Sequence, residues 1–186
     1  MGEAHRQPPR RHGRLRKAVF HGCQRVAQVL GGRAFYRARY LRRGRLVLRH
    51  ELLPVGPDSP LVGQRWVQLS DIHAGPFLGA GDLADAVDLC NELEPDLCLF
   101  TGDMISHLPD EALTVLDDLA HLAPRHGTLA VFGNHDYRHR EERRLAAAYL
   151  ERGIRFLVNE AVRPLGPDLP LVVTGVEDLE EAIAVH

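Results

Sequence analysis

Three short polar blocks carry residue types that could do chemistry: Ser70-Asp71-Ile72-His73, Thr101-Gly102-Asp103 and Gly133-Asn134-His135-Asp136. Each follows an apolar run. Carboxylate and amide oxygens combined with imidazole suit Mn²⁺, Fe or Zn²⁺, and the absence of thiolates from all three blocks argues against a structural zinc site. Asp71 and His73 stand two positions apart, so in an extended backbone both side chains face one ligand past the end of a strand. Asp103 has two oxygens and enough charge to bridge two cations about 3.5–4 Å apart. Gly102 and Gly133 let backbone crowd close to such ions or to a phosphate.

The elements that must position these blocks follow from periodicity. Residues 66–70, 97–101 and 128–132 read as strands, and each runs directly into one polar block. Between them, Leu83, Ala86, Val87 and Cys90 form one helical face, and Ala112, Val115, Leu116 and Leu119 another. A third helix is expected over 138–152, with Gly153 as its stop. Asp71 to Asp103 is 32 residues and Asp103 to Asn134 is 31, one strand–helix–strand unit each. Such units imply a largely parallel sheet whose strand ends, with their polar blocks, converge on one edge. A first strand is expected over 45–53, and shorter strands over 154–158, 161–165 and 169–174.

The set Asp71-x-His73, Gly102-Asp103 and Gly133-Asn134-His135-Asp136 closely resembles the calcineurin-like metallophosphoesterases, and the flanking Gln68-Leu69-Ser70 and Ala74-Gly75 resemble their bacterial, often membrane-associated branch. The resemblance covers about residues 45–178. It implies an α/β fold, the N-terminal half of an α-β-β-α sandwich, and hydrolysis of phosphomonoesters or phosphodiesters with two divalent ions. On it, Asp71, His73 and Asp103 would hold the first metal, while Asp103 and Asn134 would begin the second. A metal-bridging hydroxide would attack phosphorus in line. His135 would stabilise or protonate the departing oxygen, with Asp136 orienting its ring.

The sequence also departs from the family. Members continue into a second half that supplies a lone ligand histidine and a Gly-His-x-His pair, whereas here the only histidine after His139 is His186. Residues 174–178 resemble the strand that precedes those ligands, so the expectation is a domain over 45–186 that stops midway through the fold. Ser106 stands where many members carry an acid or amide after Gly-Asp. An alternative reading is therefore a catalytically incomplete fragment that keeps partial metal affinity.

Charge divides the chain of 186 residues sharply. Residues 1–50 hold 14 Arg or Lys against the single acid Glu3, a balance of +13, and the remainder carries −15. Residues 1–44 therefore read as a basic leader, disordered to about residue 15 and amphipathic beyond it through Val19, Phe20, Cys23, Val26, Ala27 and Leu30. An anionic membrane surface suits this pattern better than nucleic acid, because no base-reading motif accompanies the charge. The leader as a non-catalytic binding module is a second alternative, and a basic extension packed on its own acidic domain is a third. The longest apolar run, 145–150, is too short for a signal peptide or a membrane span, which places the expected chain in the cytoplasm, at the inner face of the membrane. Cys23, Cys90 and Cys98 are too few and too irregularly spaced for a disulfide framework, two of them sit in apolar positions, and for these buried free thiols in a reducing compartment are the default.

Overall fold

The computed structural model describes residues 29–178 together with Val19, Gly22, Cys23, Val26 and Ala27. The expected disordered start, much of the amphipathic stretch after it, and His186 lie outside the described residues. Helix α1 (Gly32–Tyr36) runs into a π-helical turn (Arg37–Leu41) and a 3₁₀ turn (Arg43–Arg45). Strand β1 (Trp66–Leu69), helix α2 (Ala84–Glu92), strand β2 (Leu97–Thr101), helices α3 (Pro109–Thr114) and α4 (Leu116–Leu119), strand β3 (Thr128–Val131), helix α5 (Glu142–Leu150) and strand β4 (Ile154–Phe156) then alternate. The four strands form one sheet in the order β1-β2-β3-β4, every pair parallel. Trp66 lies opposite Leu97, Cys98 opposite Thr128, and Thr128 opposite Ile154. Because all four run the same way, the residues that follow β1, β2 and β3 leave the sheet at one edge.

Alternation along the strands decides which side chains meet the helices. Phe100, Ala130, Ile154 and Phe156 join Leu83, Val87, Ala112, Val115, Leu116, Leu119, Leu145 and Tyr149 in the main core. Phe132 stacks on Phe156 at 4.0 Å between ring centroids, and the buried Tyr149 hydroxyl donates to the Ala112 carbonyl at 2.9 Å. On the opposite face Leu97, Leu129 and Leu157 form a second, smaller cluster with half-buried Trp66, Leu99 and Val131. The antiparallel pair β5 (Glu160–Val162) and β6 (Val173–Gly175) reaches this cluster through Val162 and Val173. Cys90 and Cys98 are buried free thiols, and burial pushes the Cys98 thiol up to about 12, so neither serves as a nucleophile near neutral pH.

Three local expectations need correction. Residues 45–53 do not form a strand: Val47 is 91% and Leu52 96% exposed, and no strand among the described residues pairs with them. Apolar composition gives no strand where backbone groups find no ladder. The helix expected over 112–119 is two short helices meeting at Val115. The helix expected from 138 starts only at Glu142, because Asp136–His139 closes as a 3₁₀ turn and Arg140 takes a left-handed conformation at φ 56°.

The latter part of the basic stretch packs on the domain. Arg33 Nε contacts Asp82 Oδ2 at 2.7 Å, Arg33 Nη2 donates to the Ala80 carbonyl at 2.8 Å, and Arg37 Nη1 lies 3.8 Å from Asp82 Oδ1. The Asp82 side chain is only 1% exposed, so these guanidinium groups compensate a carboxylate taken out of water. Arg43 pairs with Glu92, Tyr36 meets the Phe77 ring, and Leu41 packs against the main core.

Candidate metal centre

Just past β1, Asp71 and His73 adopt the left-handed conformation at φ 53° and 49°, and just past β2 Asp103 does so at φ 55°. Plain extension, as the sequence suggests, is therefore not what turns Asp71 and His73 to one side. The conformation is uncommon for residues with a Cβ, costs about 1–3 kcal/mol each, and persists only where neighbours over-determine it. Here the neighbouring loop supplies the constraint: Asp71 N donates to the Gly102 carbonyl at 3.1 Å, His73 N to the Asp103 carbonyl at 2.9 Å, and Ala74 N to the Met104 carbonyl at 2.9 Å. The first two blocks are thus laced together by backbone.

The side chains converge. His73 Nε2 lies 3.5 Å from Asp103 Oδ2 and 3.7 Å from Asp71 Oδ1. Ligand atoms of His73, Asp103 and His135 fall within 4.8 Å of one another. Each carboxylate has one oxygen held by the protein and the other turned toward His73. Ser70 Oγ donates to Asp71 Oδ2 at 2.6 Å, and His135 N donates to Asp103 Oδ1 at 3.0 Å. His73 Nδ1 sits 3.2 Å from the Ile105 carbonyl and His135 Nδ1 3.2 Å from the Ser106 carbonyl. A carbonyl only accepts, so both Nδ1 atoms carry the proton, and the Nε2 atoms are left with lone pairs in the neutral rings. An imidazole fixed in this way offers Nε2 either to a metal or to a proton.

Gly133 shows how tightly the third block is drawn in. A Cβ at this position would lie 2.2 Å from Asp103 Oδ1 and 2.4 Å from Asp103 N. Gly102, at φ 99°, faces Gly133 in turn, with a Cβ position 2.8 Å from the Gly133 backbone. Both glycines are needed for backbone approach, as the sequence suggests. Hard carboxylate oxygens, the His73 imidazole nitrogen and this close cradle fit a divalent ion.

Of the residues singled out from sequence, Asp71, His73, Asp103 and His135 come together, and Asn134 lies beside them on the third loop, exposed. Asp136 does not orient the His135 ring. It is fully buried, its Oδ1 accepts from Met104 N at 2.9 Å and Ile105 N at 3.1 Å, and its Oδ2 accepts from Gly133 N at 2.9 Å. Burial pushes its carboxyl above the usual carboxylate range against the pull of these three donors. Its position ties the second loop to the third beneath the site. The ring-holding role falls to Ser106, which sequence reading discounted. Ser106 Oγ also donates to the His73 carbonyl at 2.7 Å, so one residue braces both histidines. No side-chain pattern signals a function exercised through a main-chain carbonyl.

A family model of the calcineurin-like phosphoesterases matches residues 65–175, more than half of the chain. The "Transmembrane protein with metallophosphoesterase domain" of Danio rerio is 32% identical over 127 residues, covering 67% of this chain and 29% of its own length. The "Uncharacterized metallophosphoesterase YkuE" of Bacillus subtilis is 33% identical, covering 65% of this chain and 43% of its own. The "Phosphodiesterase YaeI" of Escherichia coli is 34% identical, covering 60% and 42% respectively. The chain thus spans less than half the length of each of these relatives. No solved structure matches it. The matched span contains all three polar blocks and the parallel sheet that brings them together, and the chain belongs to the calcineurin-like phosphoesterase family.

Proposed function

We propose that this chain carries the N-terminal part of a metal-dependent hydrolase of phosphomonoesters or phosphodiesters, within a domain that begins near residue 45. The observation that supports this best is the convergence of His73, Asp103 and His135, with both histidines held through Nδ1 so that Nε2 is available. Asp71, His73 and Asp103 would hold a first ion, and Asp103 with Asn134 would contribute to a second, with Mn²⁺, Fe or Zn²⁺ all compatible with the donors. Such ions lower the pKa of water and neutralise charge building on phosphorus. Asp103, with Oδ1 anchored to His135 N, keeps Oδ2 aimed at one position. His135, braced by the Ser106 carbonyl, can hold a proton at Nε2 for the departing oxygen.

The test is direct Mn²⁺ titration of this chain, alongside Mn²⁺-dependent turnover of an aryl phosphodiester. Turnover is expected to be little or none in this chain, and is followed in a version extended by the second half that supplies the remaining histidine ligands. Asp103→Asn should abolish binding and turnover. His135→Ala should depress turnover by about 10²-fold or more while binding is weakened far less. Binding that survives Asp103→Asn would sink this reading.

A second reading concerns attachment. The +13 charge of residues 1–50 supports contact with an anionic membrane. No helix among the described residues is long and apolar enough to cross one.

A further inference from the structure

The structure sorts the arginines of the N-terminal segment into two groups. Arg33, Arg37 and Arg43 turn inward and are engaged with Asp82 and Glu92. Arg39 and Arg42 are exposed and have no carboxylate within ion-pair distance among the described residues. Alongside them Phe35 is 69% and Tyr40 50% exposed, with the Arg39 guanidinium 5.1 Å over the Tyr40 ring. Val29 and Leu30, which precede the helix, are also exposed. No acid occurs between Glu3 and Glu51 to offset the charge.

We infer that Phe35, Arg39, Tyr40 and Arg42 form a docking surface for an anionic lipid bilayer, mounted on the catalytic unit rather than trailing from it. This deepens, and rests on, the attachment reading above. Exposed aromatic side chains interleaved with unpaired guanidinium groups match an interface that is apolar below and anionic above. Unpaired arginines supply the charge complementarity to anionic headgroups. The aliphatic Val29 and Leu30 offer nothing for a base to stack on, which favours lipid over single-stranded nucleic acid. The mounting is the inward half of the same element: Arg33 grips buried Asp82, and Tyr36 meets Phe77, four residues beyond His73. A bilayer held by the outer face is thereby connected through one short helix to the loop that carries Asp71 and His73.

The measurement is co-sedimentation of the full chain with phosphatidylcholine vesicles containing phosphatidylglycerol. Phe35→Ser with Tyr40→Ser, and separately Arg39→Gln with Arg42→Gln, are compared with a charge-matched control, Arg138→Gln with Arg143→Gln. Each arginine near an anionic surface accounts for about fivefold in partitioning, so the arginine pair should lower it by well over tenfold. The aromatic pair should lower it comparably, the control should lower it little, and unchanged melting would show that folding is intact. Wild-type chain that does not pellet would remove the attachment reading and this surface together. Wild-type chain that pellets while both variants pellet equally well would overturn the surface alone and assign binding to residues before it. Variants that lose affinity for a single-stranded oligonucleotide but not for vesicles would also overturn it, in favour of nucleic acid.

Discussion

His73 and His135 meet edge to face, their ring centroids 4.8 Å apart and their planes at 81°, although they come from the first and third loops of the site. Ser106, on the second loop, is the brace between them. It donates from Oγ to the His73 carbonyl and accepts the His135 Nδ1 proton on its own carbonyl. The hydroxyl and the carbonyl can be separated experimentally, because substitution removes only the first.

Ser106→Ala should therefore cost about 1 kcal/mol of stability, the usual net value of one such hydrogen bond, and should weaken Mn²⁺ binding only a few-fold. Thermal melts and metal titration check this. Loss of binding as complete as in Asp103→Asn would mean that the hydroxyl does more than hold the His73 backbone.

Gly133→Ala tests the cradle. The added methyl would fall 2.2 Å from Asp103 Oδ1, so the carboxylate must leave the position in which it faces His73. The expected outcome is a loss of about 1–3 kcal/mol of stability, typical of overpacking, together with a large loss of Mn²⁺ affinity. Gly81→Ala is the control: it too has positive φ, 77°, but nothing lies within 4 Å of the new Cβ. It should cost about 1–2 kcal/mol through backbone conformation alone and leave metal binding intact.

Asp136→Ala should be among the most damaging single changes in the chain. It strands the Met104, Ile105 and Gly133 amides in a buried position, at roughly 1–3 kcal/mol each before relaxation. We expect a total of about 3–5 kcal/mol in chemical denaturation. Asp136→Asn keeps an oxygen for Met104 and Ile105 but turns an amide group on Gly133 N, and should fall between. A near-neutral Asp136→Ala would contradict a structural role.

These variants also mark how far the sequence could be read. Strands β1, β2 and β3 announce themselves because short β-branched and leucine-rich runs end on polar blocks, and the repeat of about thirty residues brings those blocks to one edge. That Asp71, His73 and Asp103 should face one another is legible from residue type and placement, whereas His135 is singled out through the family resemblance. What is missed depends on the backbone. The left-handed turns at Asp71, His73 and Asp103, the Ser106 carbonyl and the three amides that claim Asp136 carry no side-chain signature. Residues 45–53 mislead for the opposite reason, since Val47, Leu52 and Leu53 look like a strand yet have no ladder to join. The packing of Arg33 on Asp82 joins positions 49 residues apart, and composition cannot distinguish it from a solvated basic tail.

Asp96 allows a pH-dependent prediction away from the metal site. It is buried at the start of β2, where its Oδ2 accepts from Arg65 N at 2.8 Å and its Oδ1 from Arg125 Nη1 at 2.9 Å. The Arg65 amide first, and then the Arg125 guanidinium, hold its carboxyl below the usual range, outweighing the opposing effect of burial. A carboxyl whose pKa is lower in the folded than in the unfolded chain stabilises the fold at pH above its unfolded value, and that stabilisation disappears as pH falls through the folded value. Unfolded Asp titrates at about 3.9, so the contribution should be complete at pH 6 and fading below about pH 4. Asp96→Asn keeps the side chain's shape and removes its charge. It should cost about 1–2 kcal/mol near pH 6, reduced from the full charge-assisted value because Arg125 is more than half exposed. Urea denaturation of both proteins between pH 6 and pH 3 should show the two stabilities drawing together as acid is added. A gap that stays constant across that range would show that the ionised carboxylate is not what holds this corner.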